Sequence, residues 1–474
     1  MLSQFVYLLK SGDKPLLYHV ITTKVFFITN KQYEFLKRNY DLQNVFSDQE
    51  LSLLSTRGFL RDTNEFSIQD MLDLNHQDKP DVFALYLILT EECNMQCMYC
   101  SQASFRTRAR QKSMSTNVIR NTLYKFYKTA TKRRRTVVLY GGEPMMNPDG
   151  VRFAINYIRD DIKDDSAEIV IFTNGTLIDE EFIDYFAWKN VSVIISVDGP
   201  REINDQFRRI NGEGSYDKIA RTIHLFQKKK IRFGISSTIA SHNLTSLGDT
   251  IRFFVDQFKP FSIGLNPLHY TPASQKKISV EVDDMASAMV KAYDVAKNCG
   301  IYVEQIMRRV RPFILGTPRL KDCPSCGGMV RVLPDGGFGP CGHFMEVGKE
   351  HETGENNFES NQTMNLWNSR LSCLMPQCSS CLSMALCGGG CPYNSFRNGG
   401  GDIFMSNDKR SCRQSEIFLL WLLNKLASEF PKDEFVEITS RDKLKLLGNI
   451  DLSQEIPLAG YSRYGEFEID ERFR

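Results

Sequence analysis

The 474-residue sequence carries almost no excess charge of either sign: 59 Lys and Arg stand against 57 Asp and Glu, a net of +2. That balance removes any argument from bulk charge for a nucleic-acid or anionic-membrane partner. No run approaches 18 consecutive apolar residues, which excludes a transmembrane helix and gives no reason to expect a membrane partner. Met1 to Lys14 holds Lys10, Asp13 and Lys14 around a short apolar patch and lacks a small-residue cleavage site. A secretory signal is therefore not expected, and the default address is cytoplasmic. Internal repeats and low-complexity segments are also missing, apart from an alternation of strand-like and helix-like stretches. The basic run Lys132-Arg133-Arg134-Arg135 reads as a solvated helix end before a strand.

What is present fits a globular chain: 42% apolar and 24% charged residues can bury a large core. At roughly 150 residues per domain, the length suggests two to four domains. Cysteine is the unusual feature. There are thirteen, and all but Cys299 and Cys373 fall in two groups. With an odd count and no export signal, a disulfide framework is the poorer explanation; clustered thiols in a reducing compartment bind metal. Cys299 and Cys373 read as buried small hydrophobes or bystanders.

Residues 1–73 read as a small module. Strand-like runs at Phe5–Leu9, Leu16–Val20 and Lys24–Ile28 are followed by helical patterns at Lys31–Arg38 and Ser47–Ser55. Ser47 is a suitable N-cap, with Glu50 three residues on. Asn75 to Pro80 is polar and linker-like. From Val82 the rhythm changes, and β-rich runs alternate with amphipathic helical patterns at 82–89, 136–140, 168–172, 191–197, 232–239 and 261–265. Between the first two, Ile119, Leu123, Phe126 and Tyr127 share a helical face behind a Ser115 cap. Six strands separated by helices argue for repeated βα units, a parallel sheet or barrel over 82–311. Residues 312–412 are rich in Gly and Cys with little periodicity, so something other than apolar side chains must supply their core. The remainder, 413–474, returns to helix at Glu416–Glu429 and then turns polar.

The first thiol group, Cys93, Cys97 and Cys100, is spaced C-x3-C-x2-C just beyond the first of those six strands. Three thiolates on one loop can hold three corners of an iron–sulfur cube and leave the fourth iron open to a ligand. A zinc site completed by a distant His is the alternative. With Tyr99 before its last Cys, this motif resembles that of the radical S-adenosylmethionine superfamily, and further matches follow in order. Gly141-Gly142-Glu143-Pro144 resembles the motif that receives the cofactor's amino group. Its glycines would let backbone approach a ligand, and Glu143 suits an ammonium, although a Gly-Gly turn before Pro is also an ordinary loop. Asn174, in Thr173-Asn174-Gly175, ends the third strand in the family style. Ser196 and Asp198 match a Ser and an Asp on the ribose hydroxyls, and Arg208 matches an Arg that meets the cofactor carboxylate. Asn204 stands where relatives often carry His. The plain alternatives are a helix cap for Asp198 and a surface ion pair for Arg208.

The second thiol group reads Cys378, Cys381, Cys387, Cys391 and Cys412, preceded by Cys326, Gly336 and Cys341 in C-x9-G-x4-C. This resembles the SPASM domain, an auxiliary iron–sulfur module of peptide-modifying radical enzymes, and Cys323 adds an eighth thiol. By resemblance, Cys323, Cys326, Cys341 and Cys391 hold one four-iron cluster, and Cys378, Cys381, Cys387 and Cys412 another. A pair of zinc ribbons, each with four cysteine ligands, is the alternative. The 1–73 module resembles the RiPP recognition element, which binds the leader of a ribosomal peptide as an added strand; a merely structural cap is the alternative. Together these resemblances imply an α/β fold: a partial (β/α)6 radical SAM barrel, an N-terminal winged-helix-like module and a C-terminal Cys-rich SPASM domain. They imply S-adenosylmethionine, three [4Fe–4S] clusters and an electron donor such as flavodoxin or ferredoxin. The substrate would be a ribosomally made precursor peptide, crosslinked through a thioether, carbon–carbon or ether bond. A sulfatase-type formylglycine maturase is the alternative enzyme, and a non-catalytic iron–sulfur or zinc protein the alternative of another class.

Overall fold

A computed structural model describes residues 1–453 apart from 39–40, 63–64, 66, 76–78, 101–112, 269–276, 344–357, 359–360, 399–401, 405 and 432. The middle of the expected linker and the polar end of the tail therefore lie outside the described residues. The chain opens with three antiparallel strands, β1 (Val6–Ser11), β2 (Lys14–His19) and β3 (Val25–Phe27), in register Val6↔His19 and Leu16↔Phe27. Period-two alternation sends the residues of β2 to two cores. Leu16 and Tyr18 join the main core, while Leu17 faces Phe26, Ile28, Phe46, Leu54 and Phe59 in a small core of the module's own. Helices follow at Asn30–Lys37, Asp48–Thr56 and Ile68–Asn75. Ser47 and Glu50 close a capping box as expected, and Thr29 with Gln32 closes a second that the sequence reading passed over.

All six expected central strands form: β4 (Ala84–Thr90), β5 (Thr136–Gly141), β6 (Glu168–Thr173), β7 (Val191–Ser196), and, after a hairpin of β8 (Arg209–Ile210) and β9 (Glu213–Gly214), β10 (Phe233–Ile239) and β11 (Ser262–Pro267). Three more strands extend this sheet: β12 (Tyr302–Val303), β13 (Met329–Val332) and β14 (Phe338–Gly339). The order is β12-β11-β10-β7-β6-β5-β4-β13-β14, parallel except for β14. Leu85, Leu87 and Leu89 of β4 face the helices, whereas Ala84 and Tyr86 face the concave side with Val138 and Tyr140. Helix Thr116–Lys128 buries Ile119, Leu123 and Phe126 behind the Ser115 cap. Tyr127 is only half-buried, because its hydroxyl donates to Asp164 at the surface (3.1 Å).

The Cys-rich region is joined to this sheet rather than hung beside it. β13 lies against β4 with Met329↔Ala84 and Arg331↔Tyr86, and helix Glu304–Leu315 runs across the expected boundary at 311/312. Its core does contain a large apolar side chain, Trp367, but Arg319 and Arg370 are buried as deeply. Arg370 donates to the carbonyls of Gly389, Gly390 and Ile403 and to the Ser395 hydroxyl, so one cation gathers three loop turns. The tail then folds back. Helix Lys409–Glu429 crosses helix Val282–Cys299, and β15 (Val436–Glu437) pairs antiparallel with β3, in register Val436↔Phe27. No helix among the described residues is long and apolar enough to cross a membrane.

Candidate functional site

At the carboxyl ends of the strands lies a cavity of about 540 Å3, lined by Cys93, Cys97 and Cys100 and also by Cys323, Cys341 and Cys391. The loop that carries the first three thiols leaves β4 at Thr90 and is fastened to the Gly141-Gly142-Glu143 turn after β5. Gly142 N donates to Thr90 O (2.7 Å) and Glu143 N to Glu92 O (2.8 Å). A Cβ at Gly141 would sit 2.2 Å from Thr90 O, and one at Gly142 2.2 Å from Glu92 O. The close approach of the thiol loop's own backbone thus already requires glycine at both positions, and both also line the cavity. The other side of the loop is pinned by Gln96 N and Met98 N, which donate to Arg209 O and Phe207 O.

Glu143 is buried beneath the loop. Its Oε1 accepts from the Thr173 hydroxyl (2.7 Å) and Met145 N (3.1 Å), and its Oε2 accepts from Asn174 N (2.6 Å). Burial pushes its carboxyl up to about 7, against the pull of those three donors. A cation arriving there would restore the ionised form. Asn174 Nδ2 donates to Asn94 Oδ1 (2.9 Å) and lies 3.8 Å from Cys93 Sγ, tying the third strand's end to the thiol loop.

Tyr99, Asp198 and Arg208 form one buried chain. The Tyr99 hydroxyl donates to Asp198 Oδ2 (2.6 Å) and accepts from Arg208 Nη1 (2.8 Å). Burial holds the phenol protonated, well above its ordinary range. Asp198 has no exposed surface, and its Oδ1 accepts from Thr238 N (3.0 Å). It caps no helix, since Pro200 occupies that position before helix Arg201–Phe207. Nor does it line the cavity, although Ser196, Thr238 and Arg208 do. Arg208 is no surface ion pair: it is buried, and its Nε has no hydrogen-bond partner among the described residues. Asn204 is a brace, accepting from Asp198 N and donating to the Ser215 hydroxyl. Sequence reasoning missed His242, whose enclosed ring stacks 4.1 Å from Phe207 with Nε2 3.4 Å from Asp198 Oδ2. Its place just past the end of β10 was the available signal, because strand carboxyl ends carry chemistry in such sheets.

The thiols gather in three neighbourhoods. Burial raises Cys97 to about 11, with Arg208 opposing and Cys100 and Cys93 adding repulsion. Cys391 is raised by burial and then by Asp408, Cys341 and Cys323; Cys326 goes to about 12 by burial, with Cys323 adding to it. Cys378 reaches about 12 by burial, then Cys387 and Cys381, and Cys412 is raised by burial beside the same three thiols. Among the described residues no group of three or more His, Cys, Asp or Glu side chains is set to hold a single metal ion. Of the two cysteines set aside, Cys373 is buried as expected, whereas Cys299 is exposed at its helix end.

Residues 87–254 match the Radical SAM superfamily model. The cysteine-type anaerobic sulfatase-maturating enzyme of Clostridium novyi is 26% identical over 365 residues, covering 71% of this chain and 94% of that protein. The radical SAM cyclopropyl synthase of Paramaledivibacter caminithermalis is 21% identical over 378 residues, 71% of this chain and 78% of that one. Among solved structures, anSMEcpe with bound AdoMet superimposes with a TM-score of 0.60 at 19% identity, covering 73% of this chain and 98% of that chain. Streptococcus suis SuiB bound to precursor peptide SuiA gives 0.55 at 14% identity, covering 87% and 99%. At these identities the superpositions speak to the fold.

Proposed function

Taking residues 87–254 as a radical SAM domain, we propose that the chain is an enzyme that modifies a ribosomally made precursor peptide. The carrying observation is the cavity itself, whose single lining includes Cys93, Cys97 and Cys100 as well as Cys323, Cys341 and Cys391. When bound, S-adenosylmethionine on a [4Fe–4S] cluster supplies a 5′-deoxyadenosyl radical that abstracts hydrogen. Cys93, Cys97 and Cys100 would hold that cluster. The buried Glu143 would accept the cofactor's ammonium, and the free Nε of Arg208 suits its carboxylate. Ser196 and Asn174 would touch the remainder of the cofactor from the cavity wall. Asp198 would position Tyr99 and Arg208 rather than meet the ribose. Cys323, Cys326, Cys341 and Cys391 would hold one auxiliary cluster and Cys378, Cys381, Cys387 and Cys412 the other, with a flavodoxin or ferredoxin as electron donor. The 1–73 module would take the leader as a strand. Within that module the outer strand among the described residues is β1, since β3 is paired with β15.

A sulfatase-type maturase is the second reading, favoured by the Clostridium novyi relative. Both readings share the cluster chemistry and differ in substrate. Replacing Cys93, Cys97 and Cys100 together by Ala should lower iron from about twelve to about eight per chain and abolish 5′-deoxyadenosine formation. Unchanged cofactor cleavage in that variant refutes the assignment. Production of a crosslinked precursor rather than formylglycine separates the two readings.

A further inference from the structure

Arg331 comes from β13, the strand that the Cys-rich region lays beside β4. Its guanidinium lies over two rings, 5.0 Å from the centroid of Tyr86 and 5.3 Å from that of Tyr140. It lines the same cavity as Cys100 and Cys341. A Cβ on Gly342 would fall 2.3 Å from Arg331 Nη1, so the glycine next to Cys341 leaves the room this side chain occupies.

Every other arginine of the cavity faces an acceptor on the protein. Arg208 meets the Tyr99 hydroxyl, Arg309 meets Asp322 at 3.0 Å and Arg308 at 3.6 Å, and Arg410 lies 3.6 Å from Asp408. Arg331 faces no carboxylate among the described residues, and its buried Nε has no hydrogen-bond partner there. A partly desolvated guanidinium left without a counter-ion is costly unless something entering the site completes it. Its planar fork of donors matches a carboxylate in bidentate fashion, and the flanking ring faces hold it in orientation. The cavity lining also includes neutral polar side chains, Ser236, Thr238, Asn266 and Gln305, with Asn266 bonded to Ser236 (2.9 Å) and Gln305 (2.6 Å).

We propose that Arg331 is the specificity-determining anchor for a carboxylate of the peptide substrate, from an acidic side chain or from the chain end. This rests on the peptide-modifying reading given above. The test uses the full chain, anaerobically reconstituted and saturated with S-adenosylmethionine so that the cofactor's own carboxylate is already seated. Three probes are titrated: an acetylated, amidated pentapeptide with one central glutamate, its central-glutamine counterpart, and the glutamine peptide with a free C-terminal carboxylate. A carboxylate-bearing probe should bind about tenfold tighter than the neutral one, as a charge-assisted pair implies. Arg331→Gln should bring that ratio to about one, and Arg331→Lys should keep part of it. Preference for the glutamate probe identifies a side-chain carboxylate; preference for the free-ended probe identifies the chain end. Equal binding of all three by the unaltered protein overturns the anchor and leaves the peptide reading standing. So does a preference that survives in Arg331→Gln, the outcome expected if this cation served only to tune a cluster's potential. Binding of none of the three removes the peptide reading and the anchor with it.

Discussion

Asp198→Asn tests whether this carboxylate acts on the cofactor directly or through Tyr99 and Arg208. In the structure both oxygens are engaged: Oδ2 by the Tyr99 hydroxyl at 2.6 Å and Oδ1 by Thr238 N at 3.0 Å. An amide can keep only one of these as an acceptor. With its oxygen toward Thr238 N, its NH2 would face Tyr99, whose oxygen already accepts from Arg208 Nη1. The phenolic proton would then lack an acceptor, and Arg208 would lose the negative charge held one hydrogen bond away. One buried charge-assisted hydrogen bond is worth about 1.5–3 kcal/mol, which corresponds to roughly 10- to 150-fold in affinity. The discriminating ligand is L-methionine, which carries the amino and carboxylate groups without the ribose. If Asp198 positions Arg208, S-adenosylmethionine and methionine should lose affinity by the same factor in anaerobic equilibrium titrations. A loss confined to S-adenosylmethionine would mean direct ribose contact and would refute the positioning role.

Two further outcomes follow from packing and from a buried amine. Gly142→Ala places a Cβ 2.2 Å from Glu92 O, a backbone atom of the thiol loop that cannot swing aside, so the variant should lose about four irons per chain and keep about eight. Gly248→Ala, with only a Val295 methyl at 3.3 Å, should keep all twelve or so; equal iron in the two variants defeats the argument. Lys443 Nζ is buried, donating to Thr23 O and Phe313 O, and burial pulls its pKa from 10.5 down to about 7. Between those values the unfolded chain holds the proton and the folded one has shed it. This group therefore makes stability rise with pH, by about 1.4 kcal/mol per unit from about pH 7 to 10. Urea midpoints at pH 7, 8 and 9 should show a shallower rise for Lys443→Met, and parallel profiles would count against the buried amine.

The central strands were legible because each runs six or seven residues with at least one predominantly apolar face, long enough for pattern to identify it. Ser115 and Ser47 were legible as caps because a helix start needs a local acceptor. β12, β14 and β15 are two residues each, and β13 is four, too short for any period to register. The thiol spacing was visible, but not what surrounds it. Arg319, Arg370 and Lys321 are charged residues in a buried place, and nothing local announces which carbonyls converge on them. Lys321 illustrates this, since its acceptors are Cys326 O and Asn368 Oδ1, the latter 47 residues away. The Gly141-Gly142 pair was legible as a close approach, but the backbone of the thiol loop that meets it was not, because sequence shows that a side chain is missing without showing what fills its place. Arg331 lay in a segment whose strand was itself unread.

The C-terminal tail changes how the N-terminal module can be probed. Deleting residues 1–73 is the obvious test of the proposed peptide-recognition role. Yet Lys14 Nζ donates to the carbonyls of Ala427 and Phe430, and Ser11 bonds Asn424, all on or just past the helix that begins beside Cys412. Thr23 shares the Phe313 carbonyl with Lys443, and Tyr18 stacks 6.4 Å from the Phe313 ring. Leu16, Tyr18 and Val25 belong to the same apolar core as Leu419 and Leu422 of that helix. Removing the module would uncover those leucines and leave β15 without its partner strand, at about 25 cal/mol for each Å2 of apolar surface returned to water. Loss of Cys412 ligation could then follow from loss of packing alone. On the proposed leader-binding reading, docking is therefore separable from folding at the edge of β1, where Val6 to Leu9 are half-buried and Lys10 is exposed. A surface charge introduced there tests docking while the shared core stays intact.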